Sequence, residues 1–231
     1  MATDSLSTEP TTRQRSALAV VLGLLGGFTI LLRLIPHPAN FSPVGAMGLF
    51  GGAKLRGWQA CTLSLAVLLV SDLTLWAYAG FDSKYLFHTS RIYCYGSFLI
   101  YVGIGRLLRG RESLLAAGGA SLLGSLQFFL ITNFCVWLLQ PFESLENVPA
   151  AFIYSRDLGG LLTCFAAGLP FFQAPSPLDL HAIVVGDPGY GVFGLFVGDL
   201  FFTVGAFVLN AAIARKPAPV EAQATAETTR A

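Results

Sequence analysis

The sequence predicts an all-helical membrane protein, a bundle of about six transmembrane helices. Of the 231 residues, 54% are hydrophobic and only 12% are charged, whereas soluble domains carry about 25% charged residues. Long apolar segments recur along the chain, and basic residues cluster between them. A soluble fold of this size has too little interior to hide so much apolar surface, so lipid must solvate part of it.

The apolar segments define the predicted helices. A membrane span needs about 20 apolar residues, and four segments meet or approach that length: 17–34, 58–79, 114–139 and 191–214. A fifth segment, 93–108, is shorter but contains a strongly apolar run. Two further pieces are less clear, because 44–53 is short and rich in glycine, and 158–172 contains Pro170 near its end.

Basic residues collect in short cytoplasmic loops of membrane proteins, so their clusters predict the topology. The clusters are Arg13/Arg15, Lys54/Arg56, Arg106/Arg109/Arg111 and Arg215/Lys216. If all four face the cytoplasm, the chain crosses six times, with 44–53 as the second crossing and both termini inside. Segment 158–172 is then a re-entrant or surface helix on the outer side; the alternative is a seventh crossing. The inner membrane is the expected location.

The short second crossing has a structural consequence. Ten helical residues reach only about 15 Å, and irregular backbone at membrane depth needs protein or a cavity around it. We therefore expect 44–53 to lie in the interior of the bundle. Residues 17–214 form a single transmembrane domain in this interpretation. The polar segments 1–16 and 215–231 are predicted to be disordered cytoplasmic tails.

Polar residues inside the spans are the candidate site residues. A charged side chain at the centre of a span costs at least about 2.5 kcal/mol on insertion scales, so it usually faces the interior. The topology puts Asp72, Asn133 and Asp199 in the outer half of three different crossings, as a site open to the outside would need. Trp137 lies one helical turn beyond Asn133, on the same face. The alternatives are that these polar residues only link helices and that Trp137 is an interface aromatic.

Two further features point to binding. The proline-rich loop 36–43 contains Asn40 and Ser42 and is either a lid over the site or a plain connector. The first span carries a stripe of small residues, Ala19, Gly23 and Gly27, which allows close approach of another helix. That helix belongs either to this chain or to a partner protein.

Several function classes have no support in the sequence. No nucleotide-binding loop, hydrolase motif or zinc-protease motif is present, so we expect no catalytic residues, no resident metal or cofactor, and no enzyme activity. The net charge of +1 gives no electrostatic basis for nucleic-acid binding.

Five segments carry a resemblance to a known family. They are residues 33–53, 71–72, 131–134, 168–172 and 198–202. They resemble a family of uncharacterised bacterial integral membrane proteins. That family is more loosely similar to the substrate-capture (S) components of energy-coupling-factor transporters, which are six-helix membrane proteins that bind vitamins or metal ions.

The resemblance implies a function in solute uptake. The capture components dock on a transmembrane partner that two ATPase subunits drive. By this likeness, loop 36–43 would close over the substrate, the stripe of Ala19, Gly23 and Gly27 would dock the partner, and the outer polar residues would line the pocket. We therefore expect a solute-binding transport protein for an unknown small molecule. The alternative is a structural or assembly protein that transports nothing.

Overall fold

A computed structural model describes residues 11–32, 34–35, 40–78, 80, 90–139, 154–168 and 191–215. Within these residues the chain forms seven helices and no strand. The helices are α1 (Thr12–Leu31), α2 (Val44–Lys54), α3 (Gly57–Tyr78), α4 (Ser90–Leu107), α5 (Leu114–Leu139), α6 (Leu158–Ala167) and α7 (Gly191–Ala214).

Four of these helices are long and apolar enough to cross a membrane, namely α1, α3, α5 and residues Gly194–Ala214 of α7. Their outward faces carry large apolar side chains, including Leu24, Phe28, Leu69, Leu122 and Phe201. Such a surface is suited to lipid rather than water. The prediction of a helical membrane bundle is therefore confirmed.

The first helix begins at Thr12, before the predicted start at residue 17. The reason is a capping box: the Thr11 hydroxyl accepts a hydrogen bond from the Gln14 backbone N–H, and the Gln14 side chain accepts one from the Thr11 backbone N–H at 2.8 Å. This reciprocal pair satisfies donors that a helix start otherwise leaves open. Part of the segment predicted to be a disordered tail is therefore helical, and residues 1–10 lie outside the described chain.

Helix α2 lies at the centre of the bundle. It has eleven residues, about 16 Å of helix, and Val44–Ala53 are all buried. It contacts α1, α3, α4, α5 and α7. The expectation that this short segment lies in the interior is confirmed, because five helices separate it from lipid.

Glycines allow α2 and α4 to pack with their backbones almost in contact. A Cβ atom on Gly105 of α4 would lie 2.8 Å from the Leu49 Cα atom and closer still to the Leu49 carbonyl oxygen. A Cβ atom on Gly52 of α2 would lie 3.1 Å from the Val102 carbonyl carbon. Small residues at such crossings let van der Waals packing hold helices together where no hydrophobic driving force acts.

The basic clusters meet at one end of the bundle. The Arg13 Nε donates a hydrogen bond to the Ile213 carbonyl oxygen at 2.6 Å, joining the start of α1 to the end of α7. Lys54 forms an ion pair with Glu112, and Arg109 donates hydrogen bonds to carbonyl oxygens at the end of α2. The six helices other than α6 begin or end here in alternation, in agreement with the predicted topology. That this end is cytoplasmic stays a prediction.

Helix α6 packs against α5 and is too short to cross a membrane alone. Its ten residues span about 15 Å. Asp157 caps its start by accepting a hydrogen bond from the Gly160 backbone N–H at 2.7 Å, and this bond holds the pKa of the Asp157 carboxyl below its ordinary value. The helix ends at Ala167, and residues 169–172 of the predicted segment lie outside the described chain.

Candidate functional site

Asp199 of α7 lies in the middle of the bundle and is only 2% exposed. Its Oδ2 atom accepts a hydrogen bond from the Tyr101 hydroxyl of α4 at 2.5 Å and one from the Ser125 hydroxyl of α5 at 2.7 Å. Within the described chain, no basic side chain forms an ion pair with this carboxylate. Three helices thus hold a carboxylate with neutral donors alone.

Two glycines make room for this arrangement. Gly45, in the first turn of α2, lies so close to Asp199 that a Cβ atom there would be 2.8 Å from the carboxyl carbon. A Cβ atom on Gly124 of α5 would lie 2.6 Å from the Cδ1 atom of the Tyr101 ring and closer still to Cε1. Any larger residue at either position would displace Asp199 or the tyrosine that binds it.

A second layer of hydroxyl groups lies one turn from this carboxylate. Helices α5 and α7 run antiparallel and meet at the contact between Ser125 and Asp199. Ser121 and Thr203 each lie four residues from that contact, toward the basic end, so they share its face. Both are fully buried, and neither hydroxyl has a hydrogen-bond partner among the described residues. We call Asp199, Tyr101, Ser125, Ser121 and Thr203 the Asp199 centre.

The second buried aspartate has different surroundings. Asp72 of α3, also 2% exposed, forms an ion pair with Arg91 in the first turns of α4. Its Oδ2 atom also accepts a hydrogen bond from the Tyr95 hydroxyl at 2.5 Å. We call Asp72, Arg91 and Tyr95 the Asp72 centre. Here the protein itself supplies the charge that balances the carboxylate.

The structure places the two aspartates in separate hydrogen-bonded groups and does not bring them into contact with each other. Tyr95 and Tyr101, which bind Asp72 and Asp199 respectively, are six residues apart on α4. Six helical residues correspond to about 9 Å along the axis and about 120° around it. The two carboxylates therefore lie at different depths and on different faces of α4.

Asn133 and Trp137 face the segment that contains α6. The Asn133 side chain donates a hydrogen bond to the Phe129 carbonyl oxygen of its own helix at 2.8 Å. The Trp137 Nε1 donates to the Ser155 carbonyl oxygen at 2.9 Å, and the Arg156 guanidinium lies 5.4 Å from its ring centroid. The structure therefore uses these two predicted site residues where α6 joins α5.

The end of the outer loop lies beside the Asp199 centre. Asn40 has a positive φ of 59°, a conformation that asparagine tolerates better than most residues. The Ser42 hydroxyl accepts a hydrogen bond from the Val44 backbone N–H at 3.4 Å, at the start of α2. Phe41 packs against Gly198, the neighbour of Asp199. Residues 36–39 of the predicted lid lie outside the described chain.

The small-residue stripe on α1 faces outward. Ala19, Gly23 and Gly27 are all exposed, and a Cβ atom on Gly23 or Gly27 would meet nothing within 4 Å. Within the described chain, the close helix partner that this stripe allows is therefore not another helix of the same molecule.

Sequence reasoning missed the partners of both aspartates. No sequence pattern marks the residues that bind the aspartates, which are Tyr101, Ser125, Tyr95 and Arg91. Only the helix packing shows which side chains contact a carboxylate. One signal was available: Arg91 is a basic residue near the end of a span that is predicted to be the outer one, where the positive-inside pattern disfavours it. A basic residue at such a position predicts an acidic partner nearby.

Among the described residues, no cluster of three or more His, Cys, Asp or Glu side chains suits a transition metal. The fold and its buried carboxylates define an all-helical membrane protein with two polar centres in its interior. Residues 12–222 match the Family of unknown function (DUF6580), so the chain belongs to that family. No curated protein and no solved structure shows a significant match to the chain.

Proposed function

We propose that this chain is a membrane-embedded solute-binding and transport protein that binds a small molecule at the Asp199 centre. The observation that carries the proposal is the Asp199 carboxylate, which is buried in the bundle and has two neutral hydrogen-bond donors and no cationic partner among the described residues. Ionisable residues inside membrane bundles mark substrate and ion pathways more often than they stabilise the fold.

The chemistry of the centre indicates the kind of ligand. A buried carboxylate without a counter-charge is costly, because the surroundings replace only part of its hydration. A ligand that brings a positive charge or several hydrogen-bond donors offsets that cost, so binding is favoured. A phosphate or carboxylate ligand would add to the negative charge and is disfavoured.

The outer loop gives the centre a cover. Phe41 packs on Gly198, and its ring contacts the Phe202 ring with centroids 5.2 Å apart and an interplanar angle of 55°. The Ser42 backbone also lies against Gly198, the neighbour of Asp199, and in this proposal the loop with Asn40 and Ser42 closes over the substrate. In this proposal Asp72, Asn133 and Trp137 support the helices around the site rather than contacting the solute.

Partner subunits complete the proposed system. The exposed stripe of Ala19, Gly23 and Gly27 is the docking face for a transmembrane partner, by likeness to the capture components of energy-coupling-factor transporters. ATP would be hydrolysed by partner subunits, and the chain itself would bind and carry without catalysing a reaction. We place it in the inner membrane with both termini in the cytoplasm.

Native mass spectrometry of the gently purified full chain tests the binding site. We expect the wild-type protein to carry a co-purified small molecule and Asp199→Asn to lose it, because the substitution removes the charge while keeping the shape. Asp157→Asn is the matched control, since asparagine caps a helix as well as aspartate and Asp157 lies outside the centre. It should keep the ligand.

Two results would contradict this assignment. One is an Asp199→Asn protein that is folded and retains the same ligand. The other is a wild-type protein that carries no small molecule but a stoichiometric protein partner, which would favour a structural or assembly function.

The docking face makes a separate prediction. Replacing both Gly23 and Gly27 by leucine should leave the thermal stability of the isolated chain unchanged or slightly higher, because leucine favours helix over glycine by up to about 1 kcal/mol per site. The same variant should lose most of its protein partner in quantitative co-purification from native membranes. Gly119→Leu, at another open position, is the control and should keep the partner. A fall in stability without loss of partner would show that the stripe packs internally.

A further inference from the structure

We propose that the species bound directly by Asp199 is a small monovalent cation, sodium, held between its carboxylate and the hydroxyls of Ser121, Ser125 and Thr203. The inference rests on the proposed function in one respect, that the Asp199 centre binds a ligand, and it assigns the balance of the Asp199 charge to a cation that binds in addition to the solute. It also differs from the expectation in the sequence analysis that no metal ion is bound.

The charge balance around Asp199 is the first support. Tyr101 and Ser125 donate hydrogen bonds to one carboxylate oxygen but carry no charge. The start of α2 also points at the carboxylate through Gly45, but a helix terminus supplies only about half an elementary charge. A full positive charge is still needed, and no basic side chain of the described chain pairs with Asp199 to provide it.

The arrangement of oxygen atoms is the second support. Ser121 lies one turn from Ser125 on α5, and Thr203 lies one turn from Asp199 on α7. Both are therefore on the helix faces that meet at the contact between Ser125 and Asp199. Both hydroxyls are buried without a hydrogen-bond partner in the described chain. Buried hydroxyl groups of this kind need an explanation, and an ion or water is the usual one. Each oxygen has lone pairs available for a hard cation, which prefers oxygen ligands.

Charge and space favour a small monovalent ion over other occupants. A divalent ion would leave one net positive charge in a low-dielectric interior, whereas one monovalent ion neutralises one carboxylate. Water would satisfy the hydroxyls of Ser121 and Thr203 but leave the charge. A proton on Asp199 would remove the charge but leave those hydroxyls without a partner. The tight packing at Gly45 and Gly124 favours a small ion over a large one.

Thermal unfolding of the purified full chain tests the inference. Sodium chloride is titrated at constant ionic strength against choline chloride, with potassium chloride as a second arm. The melting temperature of the wild type should rise with sodium and saturate, since a ligand that binds only the folded state stabilises it by mass action. Choline should have no effect and potassium a smaller one.

The variants locate the ion. Asp199→Asn should abolish the sodium response. Thr203→Val and Ser121→Ala should each raise the sodium concentration for half-maximal stabilisation by about tenfold, the effect of losing one ligand hydroxyl. Thr29→Val is the matched control, because Thr29 is also buried but its hydroxyl donates to the Leu25 carbonyl oxygen at 2.8 Å. It should respond to sodium as the wild type does.

Several results would overturn the sodium site. These are an equal response to sodium and choline, an unchanged response in Thr203→Val and Ser121→Ala, or a stabilisation by acid that is indifferent to sodium, which indicates a proton alone. If sodium has no effect but Asp199→Asn still loses a co-purified solute, the cation inference fails and the proposed function stands. If sodium stabilises the protein saturably but no solute co-purifies, the cation inference stands and the proposed solute binding fails.

Discussion

Replacing Gly105 by alanine should destabilise the folded bundle by about 3 kcal/mol or more, at the upper end of the cost of overpacking a core. The added methyl group would meet the backbone of Leu49, with its Cα atom only 2.8 Å away. A backbone cannot rotate away as a side chain can, so α2 and α4 must separate. Because α2 contacts five other helices, the displacement spreads through the whole interior.

Gly103 supplies the control two residues away on the same helix. It is exposed, and a Cβ atom there would meet nothing within 4 Å. Gly103→Ala should therefore be neutral or raise stability by up to about 1 kcal/mol through helix propensity. The measurement is the thermal unfolding midpoint and the yield of monodisperse protein in detergent. Equal midpoints for the two variants would show that α2 and α4 are not packed backbone to backbone.

Replacing Arg91 by leucine should cost about 3–5 kcal/mol of stability, the usual effect of removing one partner of a buried ion pair. Asp72 is 2% exposed and would keep its negative charge without the guanidinium group that balances it. The contact between α3 and α4 would lose its charged link. The measurement is again the unfolding midpoint, compared with wild type in the same detergent.

A second substitution separates this mechanism from a loss of packing. Adding Asp72→Asn to Arg91→Leu removes the unpaired charge and should restore much of the lost stability, because asparagine can still bond to the Tyr95 hydroxyl. A double variant as unstable as the single one would mean that Arg91 stabilises the bundle through packing of its stem instead. The two outcomes are therefore distinguishable in one experiment.

These predictions concern the different roles of the two aspartates. Both are equally buried and both accept a hydrogen bond from a tyrosine of α4. Within the part of the chain that the structure describes, Asp72 pairs with a basic side chain and Asp199 does not. A carboxylate that a basic side chain of the protein neutralises stabilises the fold. A carboxylate that has only neutral hydrogen-bond donors can still bind a positively charged ligand. For this reason the proposed site centres on Asp199 alone.

Composition, the length of the apolar segments and the positions of the basic clusters were sufficient to predict much of the fold. The apolar segments at 44–53, 58–79, 93–108, 114–139 and 191–214 correspond to helices α2, α3, α4, α5 and α7 within a few residues. This works because a bilayer permits no exposed backbone polar groups, so an apolar segment of sufficient length has little choice but to be helical. The interior position of α2 followed from its length by the same argument.

The sequence by itself determined a helical membrane bundle with costly polar groups inside it, since both depend on residue type and spacing along one chain. Only the tertiary structure decided which groups meet. In the structure the predicted site residues lie in three places. Asp72 and Asp199 each have their own centre, and Asn133 and Trp137 contact the segment before and within α6. The physical reason is that rotation and depth of one helix against another are set by side-chain packing, as at Gly45 and Gly105. The tyrosines that bind the two aspartates are only six residues apart on α4, and this separation puts the two carboxylates on different faces of the helix.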